Sequence, residues 1–423
     1  MTTLLAIVRS IHFAATVLAA GAVFFRFFIA EPAGAASGGM IDAVRTRCRY
    51  LIWSGLFVAV LSGAVWLVLV AANIYGETIL YVCTQGGVVT VAGDTRFGQI
   101  WCGRLVVALA LGALIVPRSS VHSFRTIASV ILAAALLASL AWVGHAGATP
   151  GVNGTIHLAS DVLHLLAAGA WVGGLLPLAM LLAFARRDQR TWDVVMPRVV
   201  GRFSVLGMIC VGALLITGII NARYLVVTLA NLFGTDYGRL VLVKIALFIA
   251  MVGVASINKF HLTPRLAKSG ATRALRRNSL IELTLGAVVL LVVGFLGTMP
   301  PAGHTHVHAA YAPVPENAAF VHIHSEEGMA DVTITPGHTG VARATIRLWH
   351  EDLTELPTRA VALSLTAPEA SIPLTFTARQ VADGSWKVDG IRLREGGNWM
   401  VKIDARLAPD SHLELDAPIV IER

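Results

Sequence analysis

Charged, aromatic and cysteine residues are all scarce in this sequence. Only 14% of the 423 residues are charged and 7% are aromatic, whereas 56% are hydrophobic. Soluble domains carry about a quarter charged residues, so the composition excludes an ordinary soluble protein. Four cysteines are too few for a disulfide scaffold. The Walker loop, the G-x-S-x-G elbow and the C-x-x-C-H and H-E-x-x-H motifs are also absent, so nothing indicates an ATP-driven pump or an enzyme.

Long hydrophobic runs dominate the first 300 residues instead. A membrane-spanning helix needs about 20 apolar residues. Eight runs reach roughly this length: Leu4–Ile29, Leu51–Ala72, Gly98–Val116, Thr126–Val143, Leu158–Phe184, Val199–Ala222, Gly238–Asn258 and Asn278–Met299. They predict a polytopic all-α membrane bundle. The first run is too long for a signal peptide and lacks a clear cleavage site, so we interpret it as a retained helix.

Basic residues fall mainly in alternate loops between these runs. One set of loops holds Arg45, Arg47, Arg49, Arg118, Arg125, Arg186, Arg187, Arg190, Arg198, Arg202, Lys259, Arg265, Lys268, Arg273, Arg276 and Arg277. The other set holds only Arg96, Arg223 and Arg239. Because cytoplasmic loops are enriched in lysine and arginine, the first set is predicted to be cytoplasmic and both termini periplasmic. This placement in short loops indicates topology rather than nucleic-acid binding.

The pattern of hydrophobicity changes after the membrane runs end at Pro300–Pro301. We predict a transmembrane domain over residues 1–301, a linker rich in histidine and proline over 302–316, and a β-domain over 317–423. Alternation with a period of two predicts strands at Phe320–His324, Asp331–Thr335, Ala342–Trp349, Ala360–Thr366, Leu374–Gln380, Ser385–Val388, Trp399–Asp404 and Ile419–Glu422. Such short strands predict an immunoglobulin-like sandwich in the periplasm. No internal repeat with a fixed period is evident.

The fifth run carries three polar side chains that share one helical face. At 100° per residue, Asp161 lies about 40° from His157, and His164 lies about 20° from it on the other side. The backbones of His157 and His164 are about 10 Å apart along a straight helix, which is too far for joint ligation of one ion. Asp161 and His164 can meet, so they predict a relay or a metal site completed by other helices.

Two further histidines lie at the same depth. His12 is inside the first run, and His145 closes the fourth run on the outer side. Titratable groups inside a membrane are costly and usually mark a pathway or a site. We therefore single out His12, His145, His157, Asp161 and His164 as candidate metal ligands. The alternative is that each histidine makes a local hydrogen bond, with His145 and His157 lying in a hydrated loop.

Other side chains within the runs are candidates for a pathway. Met208, Cys210 and Met251 are soft ligands that suit Cu⁺, although methionine in a helix more often fills the core. Lys244 and Glu282 are costly in a bilayer, and each either pairs within the bundle or reaches towards the interface.

Histidines with alternate spacing also occur in the linker and in the first predicted strand. They are His304, His306, His308, His322 and His324. In an extended chain, residues i and i+2 point to the same side, so two imidazoles can chelate one ion. Copper, zinc and nickel all suit this set. The alternative is a solvated linker followed by a strand with an exposed histidine face.

Two of the four cysteines, Cys83 and Cys102, are predicted on the outer side of the membrane. A disulfide can form and persist there. The sequence does not establish the geometry that a bridge needs, so pairing stays open.

An ordered set of short motifs resembles the bacterial copper resistance D (CopD) family. The motifs are His145-Ala-Gly-Ala148, Asp161-Val-Leu-His-Leu-Leu-Ala-Ala-Gly-Ala-Trp-Val-Gly-Gly-Leu-Leu-Pro177, Arg202-Phe-Ser204, Thr217-Gly-Ile-Ile-Asn221, Tyr237-Gly-Arg-Leu240, Lys244, Asn258-Lys-Phe260, Pro264-Arg-Leu266 and Gly297-Thr-Met-Pro-Pro301. The resemblance is strong over about residues 140–301 and looser over the first four runs. The tail, with Gly384-Ser-Trp386 and Gly397-Asn-Trp399, resembles the YtkA-like β-domain attached to some members.

This resemblance implies an inner-membrane protein that takes part in copper uptake, homeostasis or resistance. It also implies copper as the bound ion, lipid as the surroundings and a periplasmic carrier of the CopC type as a partner. The residues leave two other functions open. One is a b-type cytochrome that holds haem between histidines such as His12 and His164. The other is a scaffold whose tail docks a periplasmic protein during cuproprotein assembly.

Overall fold

The fold is described from a computed structural model, which divides the chain into two compact units, Met1–Thr305 and His306–Arg423. The structure describes residues 2–34, 38–115, 123–148, 151–184, 189–266, 270–302, 315, 317–325, 328–350, 355–368, 370, 372–407 and 411–422. The first unit is helical, and the residues described in the second form strands and loops, as the sequence predicts.

Twelve α-helices are described in the first unit. Their bounds are α1 Thr2–Phe24, α2 Glu31–Gly34, α3 Gly38–Tyr75, α4 Ile79–Thr84, α5 Gly87–Asp94, α6 Arg96–Ile115, α7 Ser123–Ala138, α8 Gly151–Phe184, α9 Gln189–Leu225, α10 Leu229–Gly234, α11 Asp236–Ile257 and α12 Ala271–Leu296. A π-helical turn joins α1 to α2, and another extends α11 at Asn258–Leu262. Helices α1, α3, α6, α7, α8, α9, α11 and α12 contain segments long and apolar enough to cross a membrane. The protein is therefore a membrane protein with eight candidate spans.

The helices differ from the predicted runs mainly at their ends. Helix α3 begins at Gly38, well before the predicted Leu51, because a polar first part continues the helix beyond the apolar run. Helix α7 ends at Ala138, and 3₁₀ turns complete the fourth span to Val143. The short helices α4, α5 and α10 lie in connections between the spans, where the hydrophobic runs predict no helix. Thr78 caps α4 and Thr228 caps α10, each accepting a backbone hydrogen bond in the first turn.

Two glycines allow α1 and α8 to cross at backbone contact. A Cβ atom added to Gly21 would collide with the backbone of Gly173, and one added to Gly173 would collide with the Val17 carbonyl. Small residues let membrane helices approach this closely, and packing then replaces the hydrophobic effect as the attraction between them. Helices α1 and α8 are accordingly the most buried of the eight spans.

The second unit is a β-sandwich of two antiparallel sheets. Its strands are β1 Ala319–His324, β2 Met329–Thr335, β3 Gly340–Trp349, β4 Thr358–Thr366, β5 Leu374–Thr377, β6 Arg379–Gln380, β7 Trp386–Leu393, β8 Gly397–Leu407 and β9 His412–Ile421. One sheet has the order β1-β2-β3-β7-β6 and the other has the order β5-β4-β8-β9. Alternate side chains of β4 and β8, such as Leu363, Leu365 and Ile403, are fully buried between the sheets.

The predicted strand Leu374–Gln380 was wrong as a single element. Its first part, β5, pairs with β4, and its last part, β6, pairs with β7 in the other sheet. The chain changes sheets at Ala378, whose backbone N–H donates to the Val361 carbonyl. Strands β7 and β9 are also longer than predicted, because their polar, solvent-facing residues weaken the apolar pattern at the ends.

The crossing of α1 and α8 predicts an asymmetry between two glycine substitutions. Gly173→Ala should destabilise the protein by about 1–3 kcal/mol, because the added methyl group overlaps the α1 backbone. Gly212→Ala in α9 is the matched control, since nothing lies within 4 Å of its added Cβ. Thermal unfolding in detergent measures both. Equal melting temperatures for the two variants would contradict this packing.

Candidate functional site

The predicted ligands of the fifth span lie together at one end of the bundle. We call this the histidine end. It is the end at which α1, α6, α8 and α11 begin, and the opposite end is the arginine end. On α8, His157, Asp161 and His164 follow one another along the face that meets α9 and α11, and His145 precedes them in a 3₁₀ turn.

The protonation of His164 follows from its partner on α9. The Thr217 hydroxyl has one hydrogen, which it donates to the Ala213 carbonyl at 2.6 Å. Thr217 Oγ1 therefore accepts from His164 Nδ1–H, at 2.9 Å. The Nε2 atom then carries the lone pair, and no hydrogen bond to it is found among the described residues. This is the arrangement of a metal-ligating histidine, in which one ring nitrogen is held and the other is left to bind.

Asp161 lies almost one turn before His164 on α8 and is also half-buried. Its Oδ1 accepts a hydrogen bond from Asn221 Nδ2 at 3.1 Å. The other end of that amide, Asn221 Oδ1, is buried and has no partner among the described residues. Lys244 on α11 is within range of electrostatic interaction with Asp161 and His164. The structure thus brings one imidazole nitrogen, one carboxylate and one unpaired amide oxygen to the same place.

The other two histidines of this end each contact an aromatic ring. His157 is only 1% exposed and stacks on Tyr224, with ring centroids 4.7 Å apart. The His145 ring meets Tyr237 edge to face at 6.2 Å, and its Nε2 is 3.3 Å from the Leu296 carbonyl oxygen. Burial lowers the pKa of His145, which favours the neutral, ligating form of the ring. His145 and His157 therefore lie between the loops and Asp161.

His12 has a different environment from His164. Its Nδ1 is 2.9 Å from the Ala59 carbonyl oxygen, and its Nε2 is 2.8 Å from Nη2 of Arg104. A guanidinium only donates, so Nε2 accepts and Nδ1–H donates to Ala59. Both ring nitrogens are thus engaged, and His12 binds a metal only if Arg104 moves away. The same contact occupies the lone pair that a haem iron would need from His12.

Neither Arg104 nor Arg9 was identified as a site residue from the sequence. Arg104 also donates to the Leu136 carbonyl and to Ser139 Oγ, which joins α6 to α7. Arg9 donates to the Gly297 carbonyl at 2.6 Å and lies over the Trp66 ring at 5.1 Å. An arginine within an apolar run was the available signal, because such a residue needs partners inside the bundle.

A second polar group surrounds Glu282, nearer to the arginine end. Glu282 is 2% exposed, and its Oε1 accepts from Asn258 Nδ2 at 2.6 Å. Asn258 Oδ1 in turn accepts from Asn278. A cavity of about 200 Å³ opens beside this carboxylate and is lined by Trp171, Ser204, Met208, Ser256, Lys259 and Ser279, among others. Glu282 is therefore paired within the bundle, and it faces a space large enough for several waters.

The soft side chains do not form one cluster. Met208 is half exposed on α9 and lines the cavity beside Glu282. Cys210 and Met251 are buried in the apolar core between α8, α9, α11 and α12. Cys83 and Cys102 are both free and exposed, so the structure shows no disulfide between them.

The histidines of the tail are only partly within the described residues. His304, His306 and His308 lie outside them. His322 is in β1, and its Nδ1 is 2.6 Å from Oδ1 of Asp331 on β2, directly across the sheet. His324 ends the same strand. Within the described ranges, no group of three or more histidine, cysteine, aspartate or glutamate side chains is arranged to hold a metal ion.

The two membrane histidines should respond differently to removal. His12→Leu should lower the melting temperature in detergent, because the buried Arg104 loses one of its hydrogen-bond acceptors, at a cost of about 2 kcal/mol. His164→Leu should change stability far less, since Thr217 keeps its bond to Ala213 and no buried charge loses a partner. The reverse order of stabilities would mean that the two hydrogen-bonding assignments are wrong.

Comparison with known proteins places this architecture in a family. The family model described as copper resistance protein D matches residues 197–296, and that of the copper resistance protein D-like N-terminal domain matches residues 1–155. No solved structure matches the chain significantly.

Three curated proteins are similar to the chain. Copper resistance protein D of Pseudomonas syringae pv. tomato is 27% identical over 60% of this chain and 84% of its own length. Copper transport protein CutJ of Bacillus subtilis is 25% identical over 73% of this chain and 56% of its own length. Inner membrane protein YebZ of Escherichia coli is 32% identical over 49% of this chain and 70% of its own length. The chain belongs to the copper resistance protein D family.

Proposed function

We propose that this protein binds copper ions at the periplasmic side of the inner membrane and mediates their uptake, in the service of copper homeostasis or resistance. The observation that carries the proposal is the group on α8 and α9 in which Thr217 holds His164 Nδ1 and leaves His164 Nε2 without a hydrogen-bond partner among the described residues. Copper is the cargo here. Imidazole suits copper in either common oxidation state, and the Asp161 carboxylate offsets part of its charge.

The unpaired amide oxygen supports a cation at this position. A buried acceptor without a donor costs free energy, and a bound cation removes that cost. The group provides fewer ligands than a structural metal site usually has: Asn221 Oδ1, Asp161 and His164 Nε2. A site through which an ion passes needs this sparse coordination, because the ion must leave as well as enter.

The remaining candidates extend the proposal in two directions. His145 and His157 would pass copper to His164 from the periplasmic side, after capture at His304, His306, His308, His322 and His324 or delivery by a carrier of the CopC type. Trp171, two turns along α8 from His164, borders the cavity beside Glu282. That cavity, lined also by Met208, would receive the ion on its way to the cytoplasm. No step requires a covalent intermediate.

The copper site is tested by removing its imidazole. His164→Ala should abolish the membrane-domain copper in purified protein and lower copper accumulation in cells. His261→Ala, which removes an exposed histidine at the arginine end, is the matched control.

Thr217→Val should weaken copper binding by about 10–100-fold, because the anchor of His164 is lost. Thr284→Val removes an equivalent hydroxyl from an exposed position and should have no effect. Copper binding by His164→Ala at the wild-type level would refute the site.

The proposed orientation is tested by labelling thiols from outside the membrane. With Cys102→Ser, Cys83 is the remaining exposed cysteine, and it lies at the histidine end. A membrane-impermeant maleimide should label it in spheroplasts. Thr46→Cys, at an exposed position of α3 near the arginine end, should react only after lysis if Cys83 and Cys102 are both serine. The opposite pattern would place the histidine end in the cytoplasm.

A further inference from the structure

The eight spans form two sets of four in which several detailed contacts recur. Both sets lie within the membrane domain; hereafter the first unit is the helical set α1, α3, α6 and α7, and the second unit is the helical set α8, α9, α11 and α12. His12 on α1 and His164 on α8 each precede by nine residues the glycine of the helix crossing, Gly21 or Gly173. The crossing is itself symmetric. A Cβ added to Gly21 would also meet the carbonyl of Gly169, four residues before Gly173, and a Cβ added to Gly173 would meet the carbonyl of Val17, four residues before Gly21.

The Nδ1 atom of each histidine lies beside a hydroxyl on the second helix of its own unit, although His12 Nδ1–H donates to the Ala59 carbonyl of that helix. Ser62 Oγ donates to the carbonyl four residues earlier, at Val58, and lies 3.2 Å from His12 Nδ1. Thr217 Oγ1 likewise donates to the carbonyl four residues earlier and lies 2.9 Å from His164 Nδ1. A glycine follows each hydroxyl residue and faces the imidazole, and a Cβ added there would meet the ring's Cε1 atom.

The third helices begin with the same cap. Thr95 before α6 and Thr235 before α11 each accept from the N–H three residues later, at Gly98 and Gly238. Each threonine hydroxyl also donates to the carbonyl four residues earlier. A Cβ added to either glycine would collide with the carbonyl seven residues before it. Agreement at this level of detail indicates two copies of one helical unit.

The two units differ at three polar positions around the histidine. Six residues after the capped glycine, the first unit has Arg104 and the second has Lys244. Three residues before the histidine, the first has Arg9 and the second has Asp161. Four residues after the anchoring hydroxyl, the first unit has Trp66, whose ring lies under Arg9, and the second has Asn221, whose amide donates to Asp161.

In the first unit, the side chain of Arg104 occupies the position beside the free ring nitrogen of the histidine. Arg104 Nη2 lies 2.8 Å from His12 Nε2, and the guanidinium also binds Ser139 and the Leu136 carbonyl. A tethered cation thus occupies the lone pair that His164 keeps open in the second unit. The neighbouring Arg9 would repel a second cation, whereas the equivalent Asp161 would attract one.

We propose that the membrane domain is a tandem repeat in which Arg104 permanently occupies the cation position of the first unit, and that Lys244 is the exchangeable counterpart which balances Asp161 until copper displaces it. This inference rests on the proposed copper site at His164. Lys244 belongs in this role because its ammonium group forms fewer fixed contacts than a planar guanidinium with five donors. The second unit therefore exchanges one cation for another, so that Asp161 keeps a positive charge beside it.

The inference makes opposite predictions for two substitutions of one residue. Lys244→Met removes the competing cation, so purified full-length protein should bind copper about tenfold more tightly or better, by titration against a competing chelator. Lys244→Arg should reproduce the closed first unit and weaken copper binding by about tenfold or more. Lys268→Met, which removes a lysine from a predicted cytoplasmic loop, is the control for loss of a lysine elsewhere and should match the wild type. Helical circular dichroism and the melting temperature verify that each variant is folded.

The outcomes separate this inference from the copper site on which it rests. If Lys244 only positions Asp161, Lys244→Arg should behave as the wild type and Lys244→Met should bind copper more weakly, which would overturn the inference. His164→Ala is measured in parallel. If His164→Ala loses copper while Lys244→Met binds it more weakly than Lys244→Arg, the cation exchange is rejected but the copper site is retained. Undiminished binding in His164→Ala rejects the site, and the exchange with it.

Discussion

Polar side chains in a bilayer cannot exchange hydrogen bonds with water, and the helix contacts of this protein follow from that constraint. Arg104 is the clearest case, because its guanidinium binds groups on α1 and α7 from its own position on α6. Arg9 similarly joins α1 to the end of α12, and Glu282 joins α12 to Asn258 beyond α11. The apolar faces allow many arrangements of eight helices, and these polar contacts select among them.

The same constraint explains which parts of the structure were predictable from sequence. A span is a property of one run of residues, so the eight segments and the strand-rich tail could be recognised locally. Asp161 and His164 could also be placed on one face, since three residues separate them on one helix. Thr217 and Asn221 could not be assigned to them, because helical periodicity does not tell which helix lies opposite. The tail strand that changes sheets at Ala378 was missed for the same reason.

The repeat is hidden from sequence because its two copies have drifted in spacing. His12 and His164 are 152 positions apart, Ser62 and Thr217 are 155 apart, and Arg104 and Lys244 are 140 apart. The first copy carries the additional helix α4, so no single period relates the copies. Their resemblance is limited to the residues that make hydrogen bonds or close contacts. A repeat of this kind becomes visible only when equivalent contacts are compared.

The glycine crossing of α1 and α8 also bears on how the molecule can move. Two backbones in direct contact leave no layer of side chains that can slide or change rotamer, so this crossing acts as a fixed pivot. Helices α9 and α11 lie at the periphery, and their spans are among the least enclosed. Both also border the His164 site and the cavity beside Glu282. Access to the two sides of the membrane would then alternate by rocking of this outer pair against a static central axis.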